Sequence, residues 1–158
     1  MKTKLTDREK MYLAYKLELC KMDGINGLRA PEGSYVRDAD MFQNSPDAEW
    51  IPVKYENKEV GFIIIVKGKL LKRGEDYRIE ETYVKPKYRR RGLMSKEIKL
   101  YLAKHPGKYS MQVMVNNPKA LAFWAPIICN KIYGKLGLHN NEDGKIETID
   151  ILFDTEKV

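Results

Sequence analysis

Apolar side chains recur at helical spacing near the start of the chain. Between residues 6 and 21 they form one broad face, which predicts a helix that Thr6 or Asp7 can cap and that Gly24 ends. The stretch 25–47 has no such period and contains several glycine, proline and asparagine residues that interrupt regular structure. We therefore expect loops with at most short elements there.

The middle of the chain has the patterns of β-strands. Residues 50–55 and 60–66 flank a short polar turn and predict a hairpin. The second of these strands is apolar on both faces, which favours a central position in a sheet. Residues 77–84 predict a further strand, which Pro86 ends. Its alternate residues should share one face, namely Ile79, Glu81 and Tyr83.

After a short basic loop the apolar period becomes helical again. From Gly92 the apolar residues form one stripe, made of Met94, Ile98, Tyr101 and Leu102 and widened by Leu93 and Leu100. Residues 109–115 then return as a strand with Met111, Val113 and Val115 on one face. A strand, a crossover helix and a second strand predict parallel or near-parallel pairing. The fold class is therefore α/β (α+β), a mixed sheet with helices on both faces.

The end of the chain is less regular. Asn117, followed by a proline, is a favourable N-cap for a last helix, and Pro126 should kink or end that helix. Residues 131–138 indicate a strand or a loop, residues 140–144 a turn, and residues 146–153 a strand.

Composition indicates the class of protein. At 158 residues, with 43% hydrophobic and 32% charged residues, the chain 1–158 is expected to form one soluble domain. No apolar run approaches the roughly 18 residues of a membrane span, and the N-terminus lacks the apolar segment of a secretory signal. Cys20 and Cys129 have no metal-like spacing and support neither a disulfide framework nor a metal site. We expect a cytoplasmic protein without membrane attachment.

The net charge of +7 is concentrated in one block. Residues 85–108 contain nine Lys or Arg and one acidic residue, so the rest of the chain is close to neutral. One basic block favours a local anion site over a diffuse nucleic-acid surface, and only Tyr88 and Tyr101 supply aromatic rings within it. For the lysines of the predicted helix, a solvated face is the simpler interpretation.

The loop before this helix can bind an anion. A strand leads through Arg89, Arg90 and Arg91 to Gly92, and the free N–H groups from about Arg91 to Ser95 open the helix. Such N–H groups and the helix dipole favour a phosphate, and a glycine lets it approach the backbone. A plain strand-to-helix turn is the alternative.

These residues resemble the acetyl-coenzyme A signature of the GNAT superfamily of N-acetyltransferases, Arg/Gln-x-x-Gly-x-Gly/Ala. Its six positions are here Arg89, Arg90, Arg91, Gly92, Leu93 and Met94. The family's hydrophobic-x-Pro-x-Tyr lead-in is similar to Val84, Pro86 and Tyr88, and its Asn-x-x-Ala-x-x-x-Tyr element to Asn117, Ala120 and Trp124. The segment NKEVGFIII is similar to the hairpin into the family's third strand.

The resemblance covers residues 50–125, with a variable N-terminal helical region at about 5–47. It implies a mixed, mostly antiparallel, twisted sheet with one splayed parallel strand pair. It also implies acetyl-coenzyme A as cofactor, with its pantetheine arm between the splayed strands and paired with backbone groups near Tyr83, Val84 and Lys85. The loop 89–94 would hold the pyrophosphate, and Asn117 and Trp124 would also contact the cofactor.

The implied reaction is acetyl transfer to a primary amine of a small molecule or peptide, with no nucleic-acid partner. An alkylammonium must first lose a proton, which a carboxylate with water can accept. Glu80 lies four residues before Val84, where several family members, including those that resemble spermidine acetyltransferases, carry their base. Glu81, expected on the opposite face, is the second candidate.

Two positions depart from the family pattern. Met94 replaces the small residue that lets the helix start lie close to the phosphates. Trp124 replaces the tyrosine that protonates the departing thiolate, and an indole N–H has no useful acidity. A thiolate can leave without an acid, and Tyr133 or water is a possible substitute. The alternative function is a non-catalytic acyl-coenzyme A binding domain.

Overall fold

The computed structural model describes residues 4–133, 137–140 and 146–156. The helices and strands in these ranges are, in chain order, α1 (Asp7–Met22), α2 (Glu32–Asn44), β1 (Ala48–Tyr55), β2 (Lys58–Lys67), β3 (Tyr77–Val84), α3 (Leu93–Lys104), β4 (Lys108–Met114), α4 (Pro118–Ile128), β5 (Gly137–Asn140) and β6 (Ile146–Asp154). Within the described ranges, no helix has the length and apolar character needed to cross a membrane.

Helix α1 begins at the predicted cap. The Thr6 hydroxyl accepts a hydrogen bond from the Glu9 N–H at 3.2 Å, and the Glu9 carboxylate accepts one from the Thr6 N–H at 2.9 Å. This reciprocal capping satisfies N–H groups that a helix start leaves open. The chain leaves the helix through Gly24, whose φ of 77° favours glycine.

The loop predicted at residues 25–47 is wrong, because Glu32–Asn44 form helix α2. Ala39 is fully buried, and Tyr35 and Phe42 pack against the same cluster as Tyr12 of α1. The residues that suggested a loop lie at the ends of this helix, since Pro31 is its N-cap and Asn44 its last residue. Contacts with α1 and β1, rather than the local pattern, stabilise this helix.

The described strands form one sheet in the order β1-β2-β3-β4-β6-β5. Neighbouring strands are antiparallel except β3 and β4, which are parallel and joined by the crossover helix α3. The predicted mixed, mostly antiparallel sheet is therefore confirmed. The central position of β2 is also confirmed, since its residues 60–66 are all buried.

Successive residues of β2 divide the core into two clusters. Ile63 packs in one cluster with Ile98 of α3 and Trp124 of α4. Ile64 packs in the other with Tyr12 of α1 and with helix α2. Because successive strand residues point to opposite sides, helices cover both faces of the sheet, as predicted.

Strand β3 contains a bulge at Glu80. Glu81 and Ile79 lie opposite consecutive residues of β2, so Glu80 has no partner residue in that strand. The extra residue reverses the alternation of side chains. Ile79 packs in the cluster of α3 and α4, whereas Glu81 contacts Lys16 of α1. The prediction that Ile79 shares a face with Glu81 is wrong for this reason.

Helix α3 buries its predicted face, but the predictions for Leu100 of α3 and for Val115 after β4 are wrong. Leu100 is 45% exposed and does not widen the apolar stripe. Strand β4 ends at Met114, so Val115 lies beyond it and is 38% exposed. The stripe is narrower than the sequence indicates because the sheet covers only one side of α3.

Helix α4 begins at the predicted cap, where the Asn117 Oδ1 accepts a hydrogen bond from the Ala120 N–H at 3.1 Å. The helix passes through Pro126 and ends at Ile128. Strand β6 confirms the strand predicted at 146–153. The turn predicted at 140–144 lies, apart from Asn140, outside the described residues.

Strands β3 and β4 separate soon after they meet. Three residue pairs join them, the last of which is Ile79 with Met111. Strand β3 nevertheless continues to Val84 and β4 to Met114. The two strands are therefore paired up to Ile79 and separate toward their carboxyl ends, which confirms the splayed pair. The end of the splay at Ile79 is called its closed end below.

Candidate functional site

A cleft of about 420 Å³ opens where β3 and β4 separate. It is lined by β3, by the loop after it, by the first turn of α3, and by side chains of α1 and α4. The predicted site residues that line the cleft are Tyr83, Val84, Arg89, Arg90, Arg91, Gly92, Leu93, Met94, Ser95, Asn117 and Trp124. Lys85, Glu80 and Glu81 do not line it.

The loop between β3 and α3 carries a row of free backbone N–H groups. No described residue accepts a hydrogen bond from the N–H groups of residues 90–95, and the Lys96 N–H is the first that bonds within the helix, to the Gly92 carbonyl at 3.0 Å. Arg90 and Gly92 have φ angles of 64° and 72°. Such left-handed residues turn neighbouring N–H groups toward one side, and the α3 dipole adds to the attraction for an anion.

Gly92 leaves open space in this row. A Cβ placed on Gly92 would meet no atom of the described residues within 4 Å. Helix α3 also has no side chain that caps its start. The space beside the free N–H groups is therefore available to a ligand, because the described residues do not fill it.

The Arg89 side chain is held by the protein. Its Nε donates to the Val84 carbonyl at 2.7 Å and its Nη2 to the Glu18 carboxylate at 2.8 Å. The guanidinium also lies over the Tyr83 ring, 5.4 Å from the centroid. Arg89 thus joins the loop to β3 and α1, across one end of the cleft.

The next two arginines differ from Arg89 and from each other. Arg91 lies over the Tyr55 ring, 4.8 Å from its centroid, and donates to the Tyr55 hydroxyl at 3.1 Å. Arg90 is exposed, and its side chain makes no hydrogen bond, ion pair or ring contact with the described residues. Of the three arginines, Arg90 therefore has the guanidinium group with the fewest contacts to the described residues.

Strand β3 offers a free backbone edge to the cleft. The Lys85 N–H donates to the Val60 carbonyl of β2 at 2.9 Å. Since alternate residues of an antiparallel strand bond to the same neighbour, Tyr83 and Lys85 direct their backbone groups to β2, and Thr82 and Val84 direct theirs to the cleft. Thr82, which the sequence did not single out, therefore belongs to the site.

Helix α4 forms an apolar wall of the cleft. Trp124 is 4% exposed and packs edge-on against Phe123, with ring centroids 5.0 Å apart. The Asn117 Oδ1 is occupied by the cap of α4. Tyr133, considered above as a proton donor, lies beside Lys108 at the start of β4 and does not line the cleft.

The sequence did not identify the wall that α1 contributes. Its lining residues lie three or four apart on one helix face, at Tyr15, Glu18, Leu19 and Met22. The end of α1 is tied to the β4–α4 connection by Asn116, whose Nδ2 donates to the Met22 carbonyl and to Asp23, each at 3.2 Å. The helical spacing is visible in the sequence, but it does not reveal which element that face meets.

The two candidate carboxylates have different surroundings. Glu80 is exposed, and its carboxylate lies 3.6 Å from the Arg78 guanidinium. The Glu81 side chain is 10% exposed and pairs with Lys16. Burial raises the pKa of Glu81 above its ordinary value, although the Lys16 ammonium opposes this. The Glu81 Oε2 has no hydrogen-bond partner among the described residues.

Two phenols line the cleft near these carboxylates. Burial raises the pKa of Tyr15 well above its ordinary value, and the charges of Glu81, Glu80 and Glu18 raise it further. Burial and Glu18 also raise the pKa of Tyr83, while Arg89 opposes the rise. Both hydroxyls therefore remain protonated near neutral pH and can donate hydrogen bonds.

Comparison with known proteins gives a family match. Residues 17–125 match the model of the acetyltransferase (GNAT) family. No curated protein matches the chain.

Several solved structures share the fold. An acetyltransferase from Thermus thermophilus is 16% identical, with a TM-score of 0.65 over 92% of this chain and 87% of its own. An N-acetyltransferase from Staphylococcus aureus is 19% identical, with a TM-score of 0.59 over 92% and 93%. The Microcin C7 self-immunity acetyltransferase, solved with acetyl-CoA and AMP, is 12% identical, with a TM-score of 0.60 over 92% and 85%.

Proposed function

The chain belongs to the acetyltransferase (GNAT) family, whose members use acetyl-coenzyme A as acetyl donor, and from this premise we propose that it acetylates a primary amine. The amine, on a small molecule or peptide, attacks the thioester directly in a ternary complex. The observation that supports this most is the cleft, where free N–H groups, a free strand edge and an apolar helix wall lie together.

The residues of the loop fit the phosphates of coenzyme A. The free N–H groups of residues 90–95 match the acceptor oxygens of a diphosphate, and the space beside Gly92 is open. The unpaired charge of Arg90 adds an attraction that salt should weaken. Arg89 and Arg91 contribute by shaping the loop, since described side chains already hold both guanidinium groups.

The free edge of β3 fits the pantetheine arm. The arm carries amide groups, and the backbone groups of Thr82 and the N–H of Val84 can pair with them as another strand would, while the Val84 carbonyl is already bonded to Arg89. Because the ladder of β3 and β4 is closed at Ile79, an arm that enters from the loop end has to stop near the bulge at Glu80. Acetyl-coenzyme A bound there supplies the activated acetyl group.

One carboxylate near the bulge is suited to an amine acceptor. Glu18 is paired with Arg89 and Glu81 with Lys16, whereas Glu80 is exposed and lies 3.6 Å from Arg78, so Glu80 is the least tightly paired of the three. In the reaction the amine nitrogen forms a bond to the acetyl carbon while the carbon–sulfur bond breaks. The ammonium first loses one proton through water to Glu80, the nitrogen loses a second proton to solvent as the amide forms, and sulfur leaves with the electron pair as a thiolate.

Glu80 is the better candidate for the base. It is exposed to water, whereas Glu81 is largely buried and paired with Lys16. Glu80→Gln should lower turnover by about 100-fold or more, mainly at low pH where free amine is scarce. Glu81→Gln removes the same charge one residue away and serves as the matched control. If the two variants lose activity equally, or only Glu81→Gln does, Glu80 is not the base.

The reaction is tested with binding and turnover on the same protein. Titration calorimetry with acetyl-coenzyme A should show saturable binding, and thiol release should appear with at least one member of a panel of polyamines, aminoglycosides, amino acids and lysine-containing peptides. Binding without thiol release over the whole panel would favour the non-catalytic binding domain, the alternative that Met94 and Trp124 support. Absence of binding would contradict both functions.

A further inference from the structure

Helix α1 carries a phenol into the cleft at Tyr15. The ring is fixed between Phe62 of β2 and Tyr83 of β3, with centroids 5.6 and 5.5 Å away. No described residue forms a hydrogen bond with the Tyr15 hydroxyl. The ring is therefore positioned by packing, while the hydroxyl is available to a ligand in the cleft.

The Tyr15 ring lies close to the bulge of β3, since Lys16 contacts both this ring and Glu81. The charges of Glu81, Glu80 and Glu18 all raise the pKa of the phenol. Lys16 lies over the same ring, 5.4 Å from its centroid. The charged and titratable groups that face Tyr15 are thus Tyr12, Lys16 and Glu18 from α1, and Glu80, Glu81 and Tyr83 from β3.

We propose that Tyr15 donates a hydrogen bond to the sulfur of coenzyme A as the thiolate leaves. The inference rests on the proposed function, because it requires the thioester at the closed end of the cleft. It assigns to α1 a role for which α4 has no suitable group, since Trp124 has an indole where the family has a phenol.

Tyr15 acts in this step as a donor that keeps its proton. A thiol ionises near pH 8.5, far below the raised pKa of this phenol, so complete transfer of the proton to sulfur is unfavourable. The proton released by the amine goes to Glu80 and water, and solvent later protonates the thiolate. Tyr15 stabilises the charge on sulfur and is unchanged at the end.

The test measures the thiol pKa of coenzyme A bound to the protein. The thiolate is followed by its ultraviolet absorbance against pH, and the complex with desulfo-coenzyme A is the blank that removes the protein's own titration. Tyr15→Phe keeps the ring contacts and should raise the bound thiol pKa by about one to two units, because a hydrogen bond to a charged group is lost. With a reactive amine, kcat should fall about 10- to 100-fold while the KM for acetyl-coenzyme A changes little.

Tyr35→Phe is the matched control. Tyr35 packs against the same aromatic cluster but does not line the cleft, so its loss of a hydroxyl should leave the thiol pKa and kcat unchanged. An unchanged thiol pKa in Tyr15→Phe, with coenzyme A still bound, overturns the role of Tyr15 and leaves the proposed function intact. Failure of the wild-type protein to bind coenzyme A overturns both.

A second variant covers a possible failure of Tyr15→Phe to fold. A ring-fluorinated tyrosine at position 15 keeps the hydroxyl and the packing, but its phenol is more acidic and so a stronger donor. The bound thiol pKa should then shift downward relative to wild type. The absence of any shift in this variant counts against the proposal as well.

Discussion

Replacement of Gly92 by alanine separates the role of this residue in folding from its role in binding. In the free protein the added Cβ meets no atom within 4 Å, so the cost is confined to the backbone, whose φ is 72°. A left-handed residue with a Cβ costs about 1–2 kcal/mol. For a chain of this size that corresponds to a fall in Tm of about 2–8 °C.

The effect on binding should be larger than the effect on stability. The new methyl group would occupy the space beside the free N–H groups of residues 90–95. Loss of one or two charge-assisted hydrogen bonds to a phosphate costs about 1.5–3 kcal/mol, which is about a 10- to 150-fold increase in the Kd for acetyl-coenzyme A. Stability is measured by urea unfolding and the Kd by titration calorimetry.

Gly74→Ala provides a closely matched control. Gly74 has a φ of 78°, and a Cβ there also meets nothing within 4 Å, but Gly74 lies in the β2–β3 connection and does not line the cleft. Both variants should lose the same stability, and only Gly92→Ala should lose affinity. If the two variants bind acetyl-coenzyme A equally well, the N–H groups beside Gly92 do not hold its phosphates.

Three further changes test other parts of the reasoning. Arg90→Gln should weaken acetyl-coenzyme A binding about fivefold and reduce its dependence on salt. Arg91→Gln removes the same charge from a side chain held by Tyr55 and should have a smaller effect on both; calorimetry at two salt concentrations compares them, and equal effects would contradict the different roles of the two arginines. Glu59→Gln should remove less than about 1 kcal/mol of stability above pH 4.5, since Arg8 lowers the pKa of Glu59. That difference should vanish as the pH falls through the lowered pKa, and a difference that persists in acid would contradict the ion pair. Pro126→Ala should stabilise the protein by about 1–3 kcal/mol in urea unfolding because it restores an N–H inside α4; a loss of stability would mean that the proline is accommodated without cost.

Local patterns predicted the elements whose signals lie within short segments. The cap of α1, the apolar strand β2 and the stripe of α3 were visible in the sequence. The broad apolar face predicted for α1 is only partly buried, since Leu17 is 37% exposed. Helix α2 was missed because the residues that interrupt regular structure lie at its ends, at Pro31 and Asn44. The bulge at Glu80 was missed because an extra residue in a ladder exists only relative to the neighbouring strand.

The loop chemistry was the part of the site most visible in sequence. Arginines that lead to a glycine before an amphipathic helix indicate an anion site without knowledge of the fold, because the first N–H groups of a helix have no partner within it and a glycine has no side chain to cap them. The different contacts of Arg89, Arg90 and Arg91 could not be foreseen. They depend on Glu18 and Tyr55, residues that only the folded chain brings to the loop.

The sequence by itself determined the mixed sheet, the crossover between β3 and β4, and the loop at Gly92, because these depend on spacing within short segments. Tertiary structure decided which groups meet in the cleft. It turned the backbone of Thr82 and Val84 toward the cleft, separated the surroundings of Glu80 and Glu81, and brought Tyr15 of α1 to the splay. Sheet register and helix packing set these distances, and both are properties of contacts between segments far apart in the chain.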